Sequence, residues 1–296
     1  MTDEKQSVGS QNHTSGDTEM VSFNKYDRRS LSYASTFEDP WKSRMISVIE
    51  LFTGKLQVLR MIREFEKRGT PSGQGFWRAA LDTMGIERTT PQAQLDLIPK
   101  EGPVIVVANH PHGMVDGMIF ADLIGRVRPD YRILTRSLLT SLDEVAGSYM
   151  IPVPFPHDPD AQRKGVQMRA NAMKHLKEGG VVALFPSGVV ATSETWWGPA
   201  KEAEWNVFTA KMIRRSGAQV VPMKFPGQNS RAYQIANQLS PMLRQGLLLH
   251  EIVHSCNKPQ KPVVGAPIPQ SEIDARADDP RGFMEWLRAH TLALED

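Results

Sequence analysis

Cysteine is nearly missing from this chain, with Cys256 the one example among 296 residues. A lone thiol excludes an internal disulfide and any zinc or iron–sulfur site built from several cysteines. It fits a reducing, cytosolic setting. An excess of one charge is missing too: 35 Lys and Arg stand against 33 Asp and Glu, a formal charge of +2. That balance argues against nucleic acid as a partner held by bulk electrostatics. Long apolar runs are missing as well. The uncharged run through Val181–Ser193 is interrupted by Pro186 and Gly188, and it falls short of the about 20 residues that a bilayer span needs. The opening MTDEKQS has neither the basic nor the apolar part of a signal peptide. What remains is 40% hydrophobic and 23% charged, ordinary for one large globular domain or two small ones. The expectation is a soluble or membrane-peripheral protein.

Three regions follow from the pattern. Residues 1–38 are rich in Ser, Thr, Asp, Asn and Gln with no apolar period, and are expected to be disordered. Residues 39–90 read as helical. Trp41, Met45, Val48, Ile49, Phe52, Leu56, Leu59 and Ile62 recur at helical spacing, and Lys42, Arg44, Lys55, Arg60 and Arg63 supply a basic side. Such a helix either docks on the core or lies on anionic lipid as an interfacial helix. A short second helix is expected over Phe76–Met84. Residues 91–296 alternate strands and helices. Strands are expected at 104–108, Tyr131–Thr135, Met150–Val153, Val181–Phe185, Gln219–Phe225 and Lys261–Val264. Helices are expected at Asp116–Val127, 138–146, Ala161–Lys177, Trp205–Arg215, Ser230–Leu243 and 280–293. That alternation predicts an α/β class, a mostly parallel sheet flanked by helices.

The unusual residues fall just after strands, where open parallel sheets bind ligands. Asn109-His110-Pro111-His112-Gly113-Met114-Val115-Asp116-Gly117 follows the first strand. A carboxylate beside a histidine fixes its tautomer and stabilises the imidazolium, so the other ring nitrogen can take a proton from a hydroxyl. A capping Asp116 with two hydrogen-bonded loop histidines is the plainer alternative. Phe185-Pro186-Ser187-Gly188 follows another strand, and Val221-Pro222 leads through Lys224 to Gly227-Gln228-Asn229-Ser230.

In this order, Asn-His-Pro-x-Gly-x-x-Asp-Gly, Phe-Pro-x-Gly and Val-Pro leading to Gly-Gln-Asn-Ser resemble the lysophospholipid and glycerolipid acyltransferases over about residues 40–270. Within them the chain is most similar to the bacterial hemolysin-like, or ornithine-lipid-type, branch. The resemblance implies an α/β acyltransferase domain with amphipathic N-terminal helices. It implies an enzyme that moves a fatty acyl group from acyl carrier protein or coenzyme A to the hydroxyl of a lyso-lipid. It assigns His110 as base and Asp116 as its orienting acid. Phe185, Pro186, Ser187 and Gly188 would line the acceptor site, and Val221 and Pro222 would lie near the acyl-binding region. No metal or redox cofactor is implied. The partners would be a membrane lipid acceptor and an anionic membrane surface, with the protein peripheral at the cytoplasmic face of the inner membrane.

Three departures qualify the match. Five residues separate His110 from Asp116, as in the hemolysin-like branch, whereas four is the common spacing in the wider family. Ser187 stands where the family usually has Glu, and Val190 where an Arg is usual. The block Ile151-Pro152-Val153-Pro154-Phe155-Pro156 also lacks its Arg. These losses disfavour glycerol-3-phosphate or lysophosphatidate and favour another acceptor, such as a lyso-aminoacyl lipid. The turn at 187–189 is expected to offer backbone N–H groups to an oxyanion. Three alternatives stay open. His112 rivals His110 as base. A metal-dependent hydrolase could be built on His110, His112 and Asp116, with His157, His250 and His254 as scattered further ligands. A non-catalytic peripheral membrane protein could share the same fold. A Ser187 nucleophile lacks its elbow, since Pro186 and Val189 break the Gly-x-Ser-x-Gly pattern.

Overall fold

Val104–Ala108 (β1) is VIVVA, five residues that are all buried, so both faces of this strand need cover. In the computed structural model, which describes residues 32–36, 39–71, 73–136, 147–155, 158 and 160–295, that cover comes from helices on each side. Val104, Val106 and Ala108 pack with Phe76, Trp77, Ile119, Phe120 and Leu249; Ile105 and Val107 pack with Leu176, Ile213, Met284 and Leu287. The alternation along one strand thus feeds two separate hydrophobic layers, as a doubly covered sheet requires.

The other strands are Tyr131–Arg136 (β2), Met150–Val153 (β3), Val181–Leu184 (β4), Thr192–Ser193 (β5), Ala200–Lys201 (β6), Gln219–Lys224 (β7) and Val263–Val264 (β8). The main sheet has the order β3-β2-β4-β1-β7-β8, parallel except for β7–β8, while β5 and β6 form a small antiparallel pair. Because β4, β1 and β7 are parallel neighbours, the loops that follow them leave the same sheet edge. Three motifs far apart in sequence are brought together by topology alone. The α/β reading with a mostly parallel sheet holds.

Helices form near the expected places, with informative shifts. Met114–Gly125 (here αS, the site helix) begins just past the loop glycine. The stretch expected as one helix over Ser230–Leu243 divides into Arg231–Leu239 and Pro241–Gly246, because Ser240 adopts an extended conformation and caps the second piece before Pro241. Leu248–Ser255, the hairpin β5–β6 and the short helix Gln92–Leu95 were not expected. The helix expected at 138–146 lies outside the described residues.

At the N-terminal side, Asp39 caps Pro40–Glu50, its carboxylate accepting from Trp41 N–H at 2.9 Å. The helix does not run straight on: Leu51–Lys55 is a π-helical turn, and Leu56–Lys67 resumes the α form. The turn lies at a close approach of two backbones. A Cβ at Gly54 would come within 2.8 Å of the Leu249 carbonyl oxygen, so the chain passes backbone to backbone there. His250 Nδ1 lies 3.1 Å from Thr53 O beside it. Residues 33–36, inside the segment expected to be disordered, form a 3-10 turn. Ser32 Oγ and Tyr33 N–H both donate to the buried Glu50 carboxylate, at 2.6 and 2.7 Å. Residues 1–31 lie outside the described residues.

Of the residues proposed for an interfacial face, Trp41, Val48, Phe52 and Leu56 are exposed, Phe52 by 84%, and Leu51 joins them. Met45 and Leu59 are half-buried, Leu59 packing on the core. Lys55 also turns inward, its ammonium 3.8 Å from Glu50. Lys42, Arg44, Arg60 and Arg63 are exposed. Among the described residues, no helix is long and apolar enough to cross a membrane.

Candidate active site

The loop after β1 is held open by its first residue. Asn109, buried, accepts Phe225 N–H at 2.7 Å and donates to Phe225 O at 2.8 Å. That paired bond ties the β1 loop to the end of β7. His110 and His112 then meet one carboxylate. Asp116, fully buried in the first turn of αS, lies 3.1 Å from His110 Nδ1 through Oδ2 and 3.0 Å from His112 Nδ1 through Oδ1. Its Oδ2 also accepts His112 N–H at 2.7 Å. Pro111 and Gly113 do keep the helix from starting before Met114, as the sequence implied. The His112–Asp116 contact forms anyway, because the turn folds both histidines back over the helix start.

The electrostatics follow from this sharing. Burial alone would push the Asp116 carboxyl up; the two histidines outweigh it and hold the pKa below its ordinary value. Burial works against the charged form of His112, yet Asp116 outweighs it and raises the pKa above 6.5. The two rings differ in access. His112 is buried, and its Nε2 lies against Gly227, where a Cβ would sit 3.0 Å away. His110 is 17% exposed at its side chain, and its Nε2 has no hydrogen-bond partner among the described residues. With Nδ1 turned to a carboxylate and Nε2 free at the surface, His110 has the arrangement a general base needs.

Phe185 stacks on the His110 ring, centroids 3.9 Å apart and planes 18° from parallel. Pro186 accepts Asn206 N–H through its carbonyl, at 3.0 Å. Ser187 Oγ donates to Val189 O at 3.0 Å, with no hydrogen bond to a histidine among the described residues. Gly188 N–H is spent on Phe185 O at 3.0 Å. It therefore has no free N–H for an oxyanion, which corrects part of the expectation for the 187–189 turn. Val221 and Pro222 do not reach the histidines. They lie inside β7, Val221 paired with Val106 and Pro222 accepting Gly265 N–H. From that strand it is Phe225 that approaches, 6.1 Å from the Phe185 ring.

Two residues went unnoticed in the sequence. Glu202, buried, accepts His110 N–H at 3.0 Å through Oε2 and the Trp205 indole N–H at 3.0 Å through Oε1. It lies 92 residues from His110, and no local pattern signals such a contact. Arg136 ends β2. Its guanidinium makes long bonds to Gly188 O at 3.3 Å and Pro154 O at 3.4 Å, over the Phe155 ring. It has no carboxylate within ion-pair reach among the described residues. Here a signal existed: a cation at the carboxyl end of a parallel strand lies where such sheets bind ligands.

For a metal, the geometry offers little. Both Asp116 oxygens and both histidine Nδ1 atoms face one another, and among the described residues no three His, Cys, Asp or Glu side chains form a metal-holding group. His250 and His254 stack at 6.1 Å on Leu248–Ser255, with Lys258 Nζ 2.8 Å from His254 Nε2. His157 and Pro156 lie outside the described residues.

The Acyltransferase family model matches residues 92–226, the stretch from ahead of β1 to the turn after β7, in keeping with the resemblance to lysophospholipid and glycerolipid acyltransferases. Two curated proteins are similar in sequence, and the chain spans slightly less than two thirds of the first. A lyso-glycine lipid O-acyltransferase from Phocaeicola vulgatus is 27% identical over 192 residues, covering 61% of this chain and 64% of that protein. A second, from Bacteroides thetaiotaomicron, is 26% identical over 226 residues, covering 72% of this chain and 74% of its own length. Among solved structures, the 1-acyl-sn-glycerophosphate acyltransferase PlsC from Thermotoga maritima overlays with a TM-score of 0.45 at 16% identity, covering 88% of this chain and 86% of that one.

Proposed function

We propose that this protein is an O-acyltransferase that moves a fatty acyl group from an acyl carrier protein or coenzyme A thioester to the hydroxyl of a lyso-lipid. The observation that carries the proposal is His110, held at Nδ1 by buried Asp116 and stacked on Phe185, with Nε2 free. His110 takes the proton of the acceptor hydroxyl as its oxygen attacks the thioester carbonyl. The C–S bond then breaks, and the thiolate leaves with the proton carried by the imidazolium. The bond from Glu202 to the His110 backbone keeps the ring in place throughout.

Arg136 supports an acidic head group on the acceptor. The arginines of two family blocks are missing, and Arg136 supplies a guanidinium with unspent N–H groups beside the Gly188 turn. Planar guanidinium suits a carboxylate, which favours a lyso-aminoacyl lipid of the kind named for the two relatives. Trp41, Val48, Leu51, Phe52 and Leu56, with Lys42, Arg44, Arg60 and Arg63, form an interfacial surface that rests on anionic lipid at the cytoplasmic face of the inner membrane.

The test is direct. Purified protein, an acyl thioester and lyso-glycine lipid should yield one free thiol per diacylated product. Thiol release with free fatty acid instead would make it a thioesterase and end the proposal. Ser187→Ala should keep most of the turnover. An acyl group trapped on Ser187 would replace direct transfer with a covalent route.

A further inference from the structure

One loop grips the backbone of His110 from both ends. At its start Ala191 N–H donates to His110 O at 2.8 Å, and at its end Glu202 accepts His110 N–H at 3.0 Å. Between these ends β5 and β6 pair, and the tip Glu194-Thr195-Trp196-Trp197-Gly198-Pro199 turns outward. Trp196 is 48% exposed and Trp197 77%. Exposed indoles often mark a loose loop, but here the backbone is tied down. Ser193 N–H donates to Gln234 Oε1 at 2.7 Å, and its carbonyl accepts from Gln238 and Asn237. Arg231 donates to Gly198 O at 2.7 Å, and Ala200 N–H to Gln228 Oε1 at 2.8 Å. The ordering entropy of the tip is therefore already met within the protein, and two large apolar side chains are presented in a fixed place without cover.

We propose that the Trp196–Trp197 tip is a second membrane anchor, separate from the N-terminal helices, which sets the mouth of the His110 site against the lipid surface. The proposal rests on the lyso-lipid reading above. Indoles suit a bilayer interface, where an apolar body and one N–H group are both satisfied. Charge separates lipid from the other candidate, an acidic carrier protein. Glu194 and Lys201 neutralise each other at 2.6 Å within the hairpin, Glu204 is exposed nearby, and Arg231 beside the tip is half-buried and bonded to Gly198 O, so the tip offers an acidic partner little. The hairpin is also linked to the N-terminal helices through packed elements. Arg231–Leu239 braces the hairpin and ends on Leu239, 61% exposed. Pro241–Gly246 then packs on Pro40–Glu50, where a Cβ at Gly246 would come within 3.1 Å of Ile49. Packed helices thus connect the tip to the segment that carries the exposed Trp41 and Phe52, with exposed Leu239 between them in the chain of contacts.

The experiment uses the full chain with Trp196 and Trp197 both replaced by Ser, and zwitterionic phosphatidylcholine vesicles at high salt, where the basic helix contributes least. Partition measured by flotation should fall on the order of tenfold, with turnover on detergent-dispersed acceptor unchanged. As a second measurement, a Trp41→Phe chain should still lose fluorescence to vesicles brominated near the head group, and that loss should vanish when Trp196 and Trp197 are also changed to Phe. Unchanged partition together with no quenching in the Trp41→Phe chain overturns the anchor. A fall in partition matched by an equal fall in dispersed-phase turnover or in melting temperature assigns the tryptophans a structural role and also overturns it. A raised KM for the carrier thioester with partition unchanged makes the tip a carrier site instead. Because partition is read without turnover, an inactive protein that still binds vesicles through the tip would defeat only the acyltransferase reading.

Discussion

In the loop from Asn109 to Asp116 the polar side chains Asn109, His112 and Asp116 are buried and bonded to named partners, with only His110 Nε2 left open; along Pro40–Lys67 the apolar side chains Trp41, Phe52 and Leu56 stand in water. The two regions put residues where ordinary burial preferences would not. In the loop, leaving a buried donor or acceptor unmet is so costly that Asp116 permits one arrangement of two histidines. In the helices, the apolar face has no such constraint and leaves free energy available to a surface outside the molecule. One region answers to the proton, the other to ions in solution. Variants in each should separate cleanly.

The largest separation is in turnover. His110→Ala should reduce acyl transfer by roughly 10²–10⁴-fold while melting temperature and vesicle binding stay near those of the parent. His112→Ala should cost far less turnover, because its Nε2 is closed off by Gly227. Equal losses from both, or inhibition by chelators, would reopen the metal-hydrolase reading.

Next comes stability. Asp116→Asn places one oxygen and one amide NH2 where the two histidine Nδ1 atoms and His112 N–H converge, so either an imidazole changes tautomer or one N–H faces another. Loss of about 3 kcal/mol of folding stability is expected in denaturant titration. Phe52→Ser, at an exposed site, should change it by no more than about 0.5 kcal/mol, whereas Val58→Asp on the inward face of the same region should unfold the protein. If Phe52→Ser proved as damaging as Val58→Asp, the helix would be a core element and the comparison would collapse.

The third effect is smaller and depends on salt. Reversing Lys42, Arg44, Arg60 and Arg63 should weaken binding to anionic vesicles by roughly 1 kcal/mol per charge at low ionic strength. The difference should shrink as the screening length falls to about 8 Å near physiological salt. Lys55 belongs outside this set, since reversal would place a second negative charge beside buried Glu50. Unaltered vesicle binding across low and moderate salt would remove the interfacial role.

Much of this was legible in the sequence, and the gaps have physical causes. Buried strands such as VIVVA and a helix such as Ala161–Lys177 declare themselves through local periodicity, and both lie where expected. His110, Asp116 and Phe185 were found because they sit in blocks placed after strands. Helical period shows that a helix has two faces without showing how they turn, so Leu59 and Lys55 were assigned outward and lie inward. The π turn has no local signal in the sequence; it lies where Gly54 meets the distant backbone of Leu249. Glu202 was invisible for the same reason. Arg136 was overlooked although its place at a strand end was readable.

The smallest effect sharpens the proton side of the comparison. His112 holds its proton more tightly in the folded protein than the 6.5 of a free side chain, because Asp116 outweighs the burial that opposes the charge; Glu251 adds to the attraction and Lys258 opposes it. The resulting stabilisation is complete below about pH 6.5 and is lost as pH rises through the higher folded value. Asp116 works on the other arm. Its depressed carboxyl stabilises the fold above about pH 3.8, and that contribution is lost as pH falls through the lower folded value. His112→Gln should therefore flatten the decline in melting temperature above pH 6.5 while leaving the acid limb, which Asp116 still governs, largely in place. Phe52→Ser should leave both limbs unchanged, because no titrating group depends on it. If His112→Gln left the curve above pH 6.5 as steep as in the parent protein, the charge on Asp116 would be balanced elsewhere. The loop would then respond to protons no more than the helices do.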